Sequence, residues 1–470
     1  MKASDYVTYD AMGLAELIAR QDVSPGEVVQ AALDRLVEVN PKLNAVTQTY
    51  AEEALAAAAS GTASGPLAGV PFLLKDLGAQ MAGKVTTAGS SLPPDTPAVA
   101  DNALTAQFKA AGLIIAGKTN TPEFGLEPVT EPQRFGPTRN PWSLDRTAGG
   151  SSGGAAAAVA AGIVPAAHAS DGGGSIRIPA SACGLFGLKP TRGRVSFAPA
   201  DEGWGGFSIS HAVTWSVRDS AALLDAISHP QPGDPYWQAA PATPFIAEVG
   251  RDPGRLRIAF STGAMAAPAI DPECADAVRE TASLCEHLGH HVEEADLPPN
   301  YAAVGQAGGT VIAASVAGML DAVGEQRGRP VSEADVEPVT WATYERGKGV
   351  TGGAYVRAMQ TAHAFGRTMA AFFEKYDVLL MSTLGSPAIP IGHLRCDPRD
   401  YADRLFAFMP NTQAFNISGQ PAMSVPLATS SGGLPIGLQF VARASEEALL
   451  FRLAGQLEQA RPWAGRRPPI

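Results

Sequence analysis

Apolar residues recur along this chain in two alternating patterns, a helical spacing and short continuous runs, which together predict helices and buried strands in succession. Ser24-Pro25-Gly26-Glu27 carries Ser at the N-cap, Pro at the first helical position and Glu three residues after the cap. Val28, Val29, Ala32, Leu33 and Leu36 follow at helical spacing, so a helix is predicted to about Val39. An alanine-rich helix is predicted near Glu52 to Ala59, ended by Gly65-Pro66 and Gly69. Val70 to Leu74 is a strand-like apolar run that delivers Lys75-Asp76 at its end. Asp101 to Ala111 reads as an amphipathic helix, Leu113 to Ala116 as a buried strand, Asp271 to Leu288 as a helix and Asp377 to Met381 as a late strand. The alternation predicts an α/β sheet fold, with helices dominating past Ser220.

Composition narrows this picture. With 470 residues, 45% hydrophobic and 17% charged, the chain has enough apolar material for a sizeable core. Length alone suggests about three domains of roughly 150 residues, yet large single α/β domains exceed that figure. The 35 basic against 46 acidic residues leave a net charge of −11 without a basic run, which argues against nucleic acid or an anionic membrane and for a small-molecule partner. Cys183, Cys274, Cys285 and Cys396 are scattered with no CxxC pair and read as reduced thiols. The start MKASDYVTYDAM has no apolar signal core, and Ala155 to Val164, read as the most apolar run, is about half of the ~20 residues that cross a bilayer. A cytoplasmic protein is expected.

Charge nearly vanishes between Thr138 and Thr191, where glycine, serine and alanine dominate. Two segments there suit acyl transfer: Gly149-Gly150-Ser151-Ser152-Gly153-Gly154 and Asp171-Gly172-Gly173-Gly174-Ser175-Ile176-Arg177. Three glycines without Cβ let successive N–H groups converge, so the amides of Gly172, Gly173, Gly174 and Ser175 are candidate oxyanion donors beside a nucleophilic Ser175 hydroxyl. None of the eight histidines sits in a recognisable Ser-His motif, which turns attention to Lys75 as base, its amine made neutral by desolvation. Asp76 beside it would oppose that effect. Ser151 suits a relay, and Asp171 with Arg177 reads as an ion pair holding the nest. Gly112 to Thr119 fits the P-loop pattern GxxxxGK[ST], but the residues between its glycines are themselves the predicted strand, so the match is coincidental. Asn416-Ile417-Ser418 matches a glycosylation sequon without a secretion signal to give it meaning.

In these residues the chain resembles the amidase signature family, and the likeness runs over nearly its whole length. The likeness is densest in GVPFLLKDL at Gly69 to Leu77, AGLIIAGKTNTPEF at Ala111 to Phe124, GPTRNPW at Gly136 to Trp142, GGSSGG at Gly149 to Gly154 and DGGGSIRIPASACGLFGLKPTRGRVS at Asp171 to Ser196. The resemblance implies Lys75 as general base, Ser151 as bridging serine on a cis peptide, Ser175 as acylated nucleophile and Ser152 in support. It implies one α/β/α domain over residues 1–470 around a large mixed sheet, with the motif region at 65–200 and a helical pocket region at about 220–375. No metal or cofactor is implied, and the assembly would be a monomer or homodimer.

Within the family, GKTNTPE, the stretch Gly328 to Asp335, FNISGQPAMSVP at Phe415 to Pro426 and the ending RPWAGRRP look similar to the 6-aminohexanoate cyclic dimer hydrolase type. That likeness implies small amides as substrates: aryl amides, cyclic or linear amide oligomers, and by extension esters, carbamates and urethanes. The alternative of another class is the A subunit of a glutamyl-tRNA amidotransferase complex. Two departures stand out: Gly172 where many members have Thr, expected to loosen the nest, and Met381-Ser382-Thr383 where many have a proline. Ala200 to Ser210 and Tyr301 to Tyr355 look least like the general pattern, so Trp204 and Phe207 are expected in the substrate pocket, together with Thr119 and Gly125.

Overall fold

A computed structural model describes residues 1–297 and 301–470. Among the described residues thirteen strands are formed: β1 Val46–Thr49, β2 Pro71–Lys75, β3 Ile114–Thr119, β4 Arg139–Asn140, β5 Ser143–Thr147, β6 Ala166–Asp171, β7 Phe186–Lys189, β8 Ile209–Thr214, β9 Arg257–Phe260, β10 His291–Glu294, β11 Val378–Ser382, β12 Ala422–Thr429 and β13 Pro435–Ala442. Eleven of them form one mixed sheet in the order β1-β3-β2-β6-β8-β7-β12-β13-β11-β9-β10, while β4 and β5 pair separately. Within it β3, β2 and β6 run parallel, as do β11, β9 and β10, and the middle of the sheet is antiparallel.

Both faces of the sheet are covered, which is why its central strands read as unbroken apolar runs instead of alternating ones. Successive side chains of a strand point to opposite faces. Val378 and Leu380 of β11 accordingly join one core, with Val28, Phe72, Ala156, Leu224 and Phe451. Leu379 and Met381 join a second core with Val311, Phe365, Phe373 and Phe415. The helices Tyr301–Arg327 and Gly352–Lys375 supply the second core. This is the α/β arrangement with a large central mixed sheet that the sequence predicts.

Local expectations hold with informative differences. The capping box at Ser24 and Glu27 is formed in full, but the helix runs from Pro25 to Leu43, a turn beyond Val39. Pro41 is tolerated in that last turn because the N–H it lacks would have bonded the carbonyl of Val37, an exposed residue that water can serve. Gly112 to Thr119 places its residues from Ile114 onward in β3, wholly buried, followed only by the single 3-10 turn Glu123–Gly125 and then strands β4 and β5 in place of the helix a P-loop opens, so the P-loop match is indeed accidental. Asn416 of the sequon is buried and bonded to Asp171, out of reach of a glycan. All four cysteines are unpaired. Ala155 to Val164 is not the most membrane-like segment. Helix Tyr301–Arg327 is long and apolar enough to span a bilayer by length and composition, with under half of its most apolar window buried inside the protein. Its apolarity serves the second core and the wall of the cavity described next.

Candidate active site

Lys75 ends β2 and Asp171 ends the adjacent parallel strand β6, so the chain leaves the sheet at neighbouring carboxyl ends, where open α/β sheets place their ligands. Alternation along β2 then separates Lys75 from Asp76. Asp76 accepts hydrogen bonds from the Thr87 N–H at 3.1 Å and from the Thr87 hydroxyl, with the Lys118 ammonium 3.5 Å away. Its charge is therefore committed elsewhere. The Lys75 amine reaches Ser151 Oγ at 2.7 Å and Ser170 Oγ at 3.0 Å. Burial pushes its pKa down to about 7, the Asp171 carboxylate offsetting only part of that shift. The open question left by Asp76 is thus decided by the pleat.

Ser151 follows a cis Gly150–Ser151 peptide. No Cβ fits at Gly150, where it would lie 2.7 Å from the backbone of Val129, so the loop approaches its neighbour closely. Ser152 caps nothing with its side chain. It clips the loop to β6 instead, donating to the Ser170 carbonyl at 3.2 Å and accepting the Ser170 N–H at 3.3 Å. The loop feeds the fully buried helix Gly153–Ala160, whose all-apolar circumference fits an interior position.

In the nest, Asp171 acts as organiser. Its carboxylate accepts from the Gly174 N–H at 2.7 Å and the Ile176 N–H at 3.2 Å, and forms a two-point pair with Arg177, Nε and Nη2 each at 2.9 Å. Burial would raise the Asp171 pKa, but the Arg177 guanidinium and the Asn416 amide bring it down to about 2. Arg177 also donates to the Thr412 carbonyl, Gln439 and Asn416. Asp171 and Arg177 therefore form the structural ion pair the sequence suggests. One expectation is corrected: the Gly174 N–H is taken by Asp171, so it is not free to meet an oxyanion. The N–H groups of Gly172, Gly173 and Ser175 have no acceptor among the described residues, and these three residues line the cavity whereas Gly174 does not.

That cavity has a volume of about 670 Å³ and a mostly apolar wall. Gly125 and Trp204 line it, as expected. Trp204 takes a left-handed backbone (φ 52°) among Gly203, Gly205 and Gly206, also left-handed, which turns its indole down onto Gly172. A Cβ added at Gly172 would lie 2.6 Å from the indole ring. The glycine at 172 thus makes room for Trp204 over the nest, and the space expected to loosen the nest is filled. Thr119 and Phe207 are not pocket residues. Thr119 is fully buried in β3 with its hydroxyl toward the Leu74 carbonyl, because β3 lies inside the sheet. Phe207 points into the second core, with the Arg192 guanidinium over its ring.

Tyr301 to Tyr355 contributes wall residues as expected, among them Tyr301, Gly305, Gly309, Ile312 and Arg346. The pocket is wider in sequence than the range 220–375, since Glu127 and Pro128 come from before it and Leu405, Phe406, Met409 and Gln413 from after it. Sequence reasoning also missed Ser170, the second partner of the Lys75 amine. No local pattern marks it: it precedes Asp171 on β6, and only the pairing of β6 with β2 brings it to the amine. Among the described residues no cluster of three or more metal-ligating side chains is formed.

The chain matches the family described as Amidase over residues 27–451 and belongs to the amidase signature family. It is accordingly a hydrolase acting on amide carbon–nitrogen bonds. The 6-aminohexanoate-cyclic-dimer hydrolase of Paenarthrobacter ureafaciens is 39% identical over 481 residues, covering 98% of this chain and 96% of that protein. The solved structure of 6-aminohexanoate cyclic dimer hydrolase is similar at TM-score 0.93 and 38% identity, over 98% of this chain and 99% of the other. A bacterial aryl acylamidase of the amidase signature enzymes is similar at TM-score 0.90 and 28% identity, again over 98% and 99%.

Opening the buried pair has a measurable consequence. Arg177→Met leaves the Asp171 carboxylate buried without its counter-charge and is expected to cost about 3–5 kcal/mol of stability, read in denaturant unfolding. Unfolding at the wild-type midpoint would contradict the organising role of that pair.

Proposed function

We propose that this amidase acts through a Ser-Ser-Lys relay, with Lys75 as base, Ser151 as bridge and Ser175 as the nucleophile that becomes acylated. The observation that carries the reading is the 2.7 Å contact between the Lys75 amine and Ser151 Oγ, made by a buried amine beside a cavity lined by Ser175. Ser175 Oγ has no hydrogen-bond partner among the described residues, and the relay requires it to hydrogen-bond to Ser151 once substrate is bound.

The neutral Lys75 amine takes the Ser151 proton as Ser151 takes that of Ser175. Ser175 Oγ bonds to the amide carbonyl carbon, and the carbonyl π pair moves onto oxygen, where the free N–H groups of Gly172, Gly173 and Ser175 stabilise it. Collapse breaks the C–N bond, and the amine leaves with the proton returned through Ser151. Water then attacks the ester, its proton following the same route, and releases the acid and Ser175. The relatives' substrates and the apolar cavity support aryl amides and cyclic or linear amide oligomers, with carbamates, urethanes and esters presenting the same type of carbonyl.

Intact-mass spectrometry of the purified chain with aryl amides and the cyclic dimer tests this reading: an adduct of acyl mass on the peptide containing Ser175, formed without ATP or a partner protein, is expected. Turnover only with ATP and partners would favour the amidotransferase-subunit reading instead.

The pH profile supplies a second test. The active form holds a neutral lysine, present above its pKa of about 7 and lost as pH falls through it. In kcat/KM for a neutral anilide, the rate should fall about tenfold per pH unit below 7 and level off above it. Burial, then Glu337 and Glu131, raise the Glu127 carboxyl in the cavity wall to about 7 as well. The limb should therefore survive in Glu127→Gln. Its disappearance there would reassign it from Lys75.

A further inference from the structure

Among the described residues, two side chains that commonly carry charge at neutral pH reach the cavity wall, Glu127 and Arg346. They differ in what already satisfies them. Glu127 accepts from the Tyr401 hydroxyl at 3.4 Å, and burial near two other carboxyls keeps a proton on it up to neutrality. Arg346, in the last turn of helix Pro338–Lys348, has no carboxylate or carbonyl partner among the described residues. Glu345, its neighbour in the chain, is occupied: it pairs with Lys348 at 2.6 Å.

The guanidinium is nonetheless seated. It lies against Gly309 on the facing helix Tyr301–Arg327, where an added Cβ would stand 3.0 Å from Nη2 and 3.2 Å from Nη1. Any larger residue at 309 would displace it. Gly305 and Gly309, one turn apart, both open onto the cavity, so the helix presents a bare strip there. Much of the rest of the wall is apolar, including Trp204, Met265, Ile312, Leu405 and Phe406.

We propose that the substrate carries a carboxylate at the end remote from the scissile amide, joined to it by an apolar spacer, and that Arg346 binds this carboxylate and thereby selects the substrate. The inference rests on the reading of Ser175 as nucleophile and deepens it. One planar guanidinium offers the two parallel N–H donors that match a carboxylate, whereas a phosphate dianion would call for further donors that the apolar wall lacks. Because Arg346 keeps one side in solvent, the acid would sit at the cavity mouth and the spacer would run inward along the apolar wall.

Two pairs of probes test the assignment on either side of the amide: adipic acid mono-anilide against heptananilide, and N-benzoyl-6-aminohexanoate against N-benzoylhexylamine. In at least one pair the acid should exceed its neutral partner by about tenfold or more in kcat/KM, mainly through KM, with the preference shrinking as salt is raised. Arg346→Gln should bring that ratio close to one, and Arg346→Lys should keep part of it. Equal turnover of acid and neutral probe in both pairs, or a preference that survives Arg346→Gln, overturns the proposal. Calorimetric titration of the two acids into Ser175→Ala and Ser175→Ala/Arg346→Gln reads the same site without turnover. Acid binding that depends on Arg346 there, with no hydrolysis of any probe by the wild type, would keep the carboxylate site and reject the relay.

Discussion

Ser175→Ala is expected to lower amide hydrolysis by roughly four to six orders of magnitude, to the level left by binding and the oxyanion donors alone. The size follows from the role the proposed relay gives this oxygen, forming and breaking the covalent bond to the acyl group, and the described residues offer no second hydroxyl in the cavity wall next to free N–H groups of the nest. Loss of Ser175 Oγ leaves the Lys75–Ser151 contact and the Asp171–Arg177 pair in place, because neither passes through that hydroxyl. The variant should therefore unfold like the wild type and still bind substrate, which separates lost chemistry from lost folding. Measured steady-state rates within about tenfold of wild type would end the assignment of the nucleophile.

Lys75→Met should cost about three orders of magnitude or more in kcat and remove the limb near pH 7. Methionine keeps the length and apolar stem while deleting the nitrogen, and burial at this position already penalises charge, so little stability should be lost. Single-turnover experiments should locate the defect in both formation and decay of the Ser175 ester, since in the proposed relay the same amine moves the proton in each half. A variant that acylated at the normal rate and kept the limb would transfer the role of base to another group.

Much of this site is legible in the residues because its chemistry is concentrated in short segments. Glycine runs ending in serine announce converging amides, and an apolar run ending in lysine announces a desolvated amine. Asp171 and Arg177 could be paired from six residues' separation. Ser170 escaped notice because its contribution depends on which strand lies beside β2, a matter of sheet register that no local pattern carries. Phe207 lies in a loop whose aromatic residues look alike whether they line a cavity or fill a core, and Thr119 is turned from the pocket by the place of β3 inside the sheet, so only packing separates them from true wall residues.

The division between Gly172, Gly173 and Gly174 shows where local reading stops. All three look equivalent as donors, yet Asp171 captures the N–H of Gly174, and Trp204 covers Gly172 after a left-handed turn that begins at Gly203. By itself the sequence determined much of the succession of helices and strands, the lysine and the two serines that the proposed relay uses as candidates, and the ion pair beside them, because periodicity, backbone freedom and side-chain chemistry are properties of neighbouring residues. Tertiary structure alone decided that Asp76 faces away from Lys75, which amides remain free, and which distant segments wall the cavity. Those depend on the pleat, on strand order and on contacts between residues more than a hundred positions apart, and a linear chain leaves such distances unspecified until it packs.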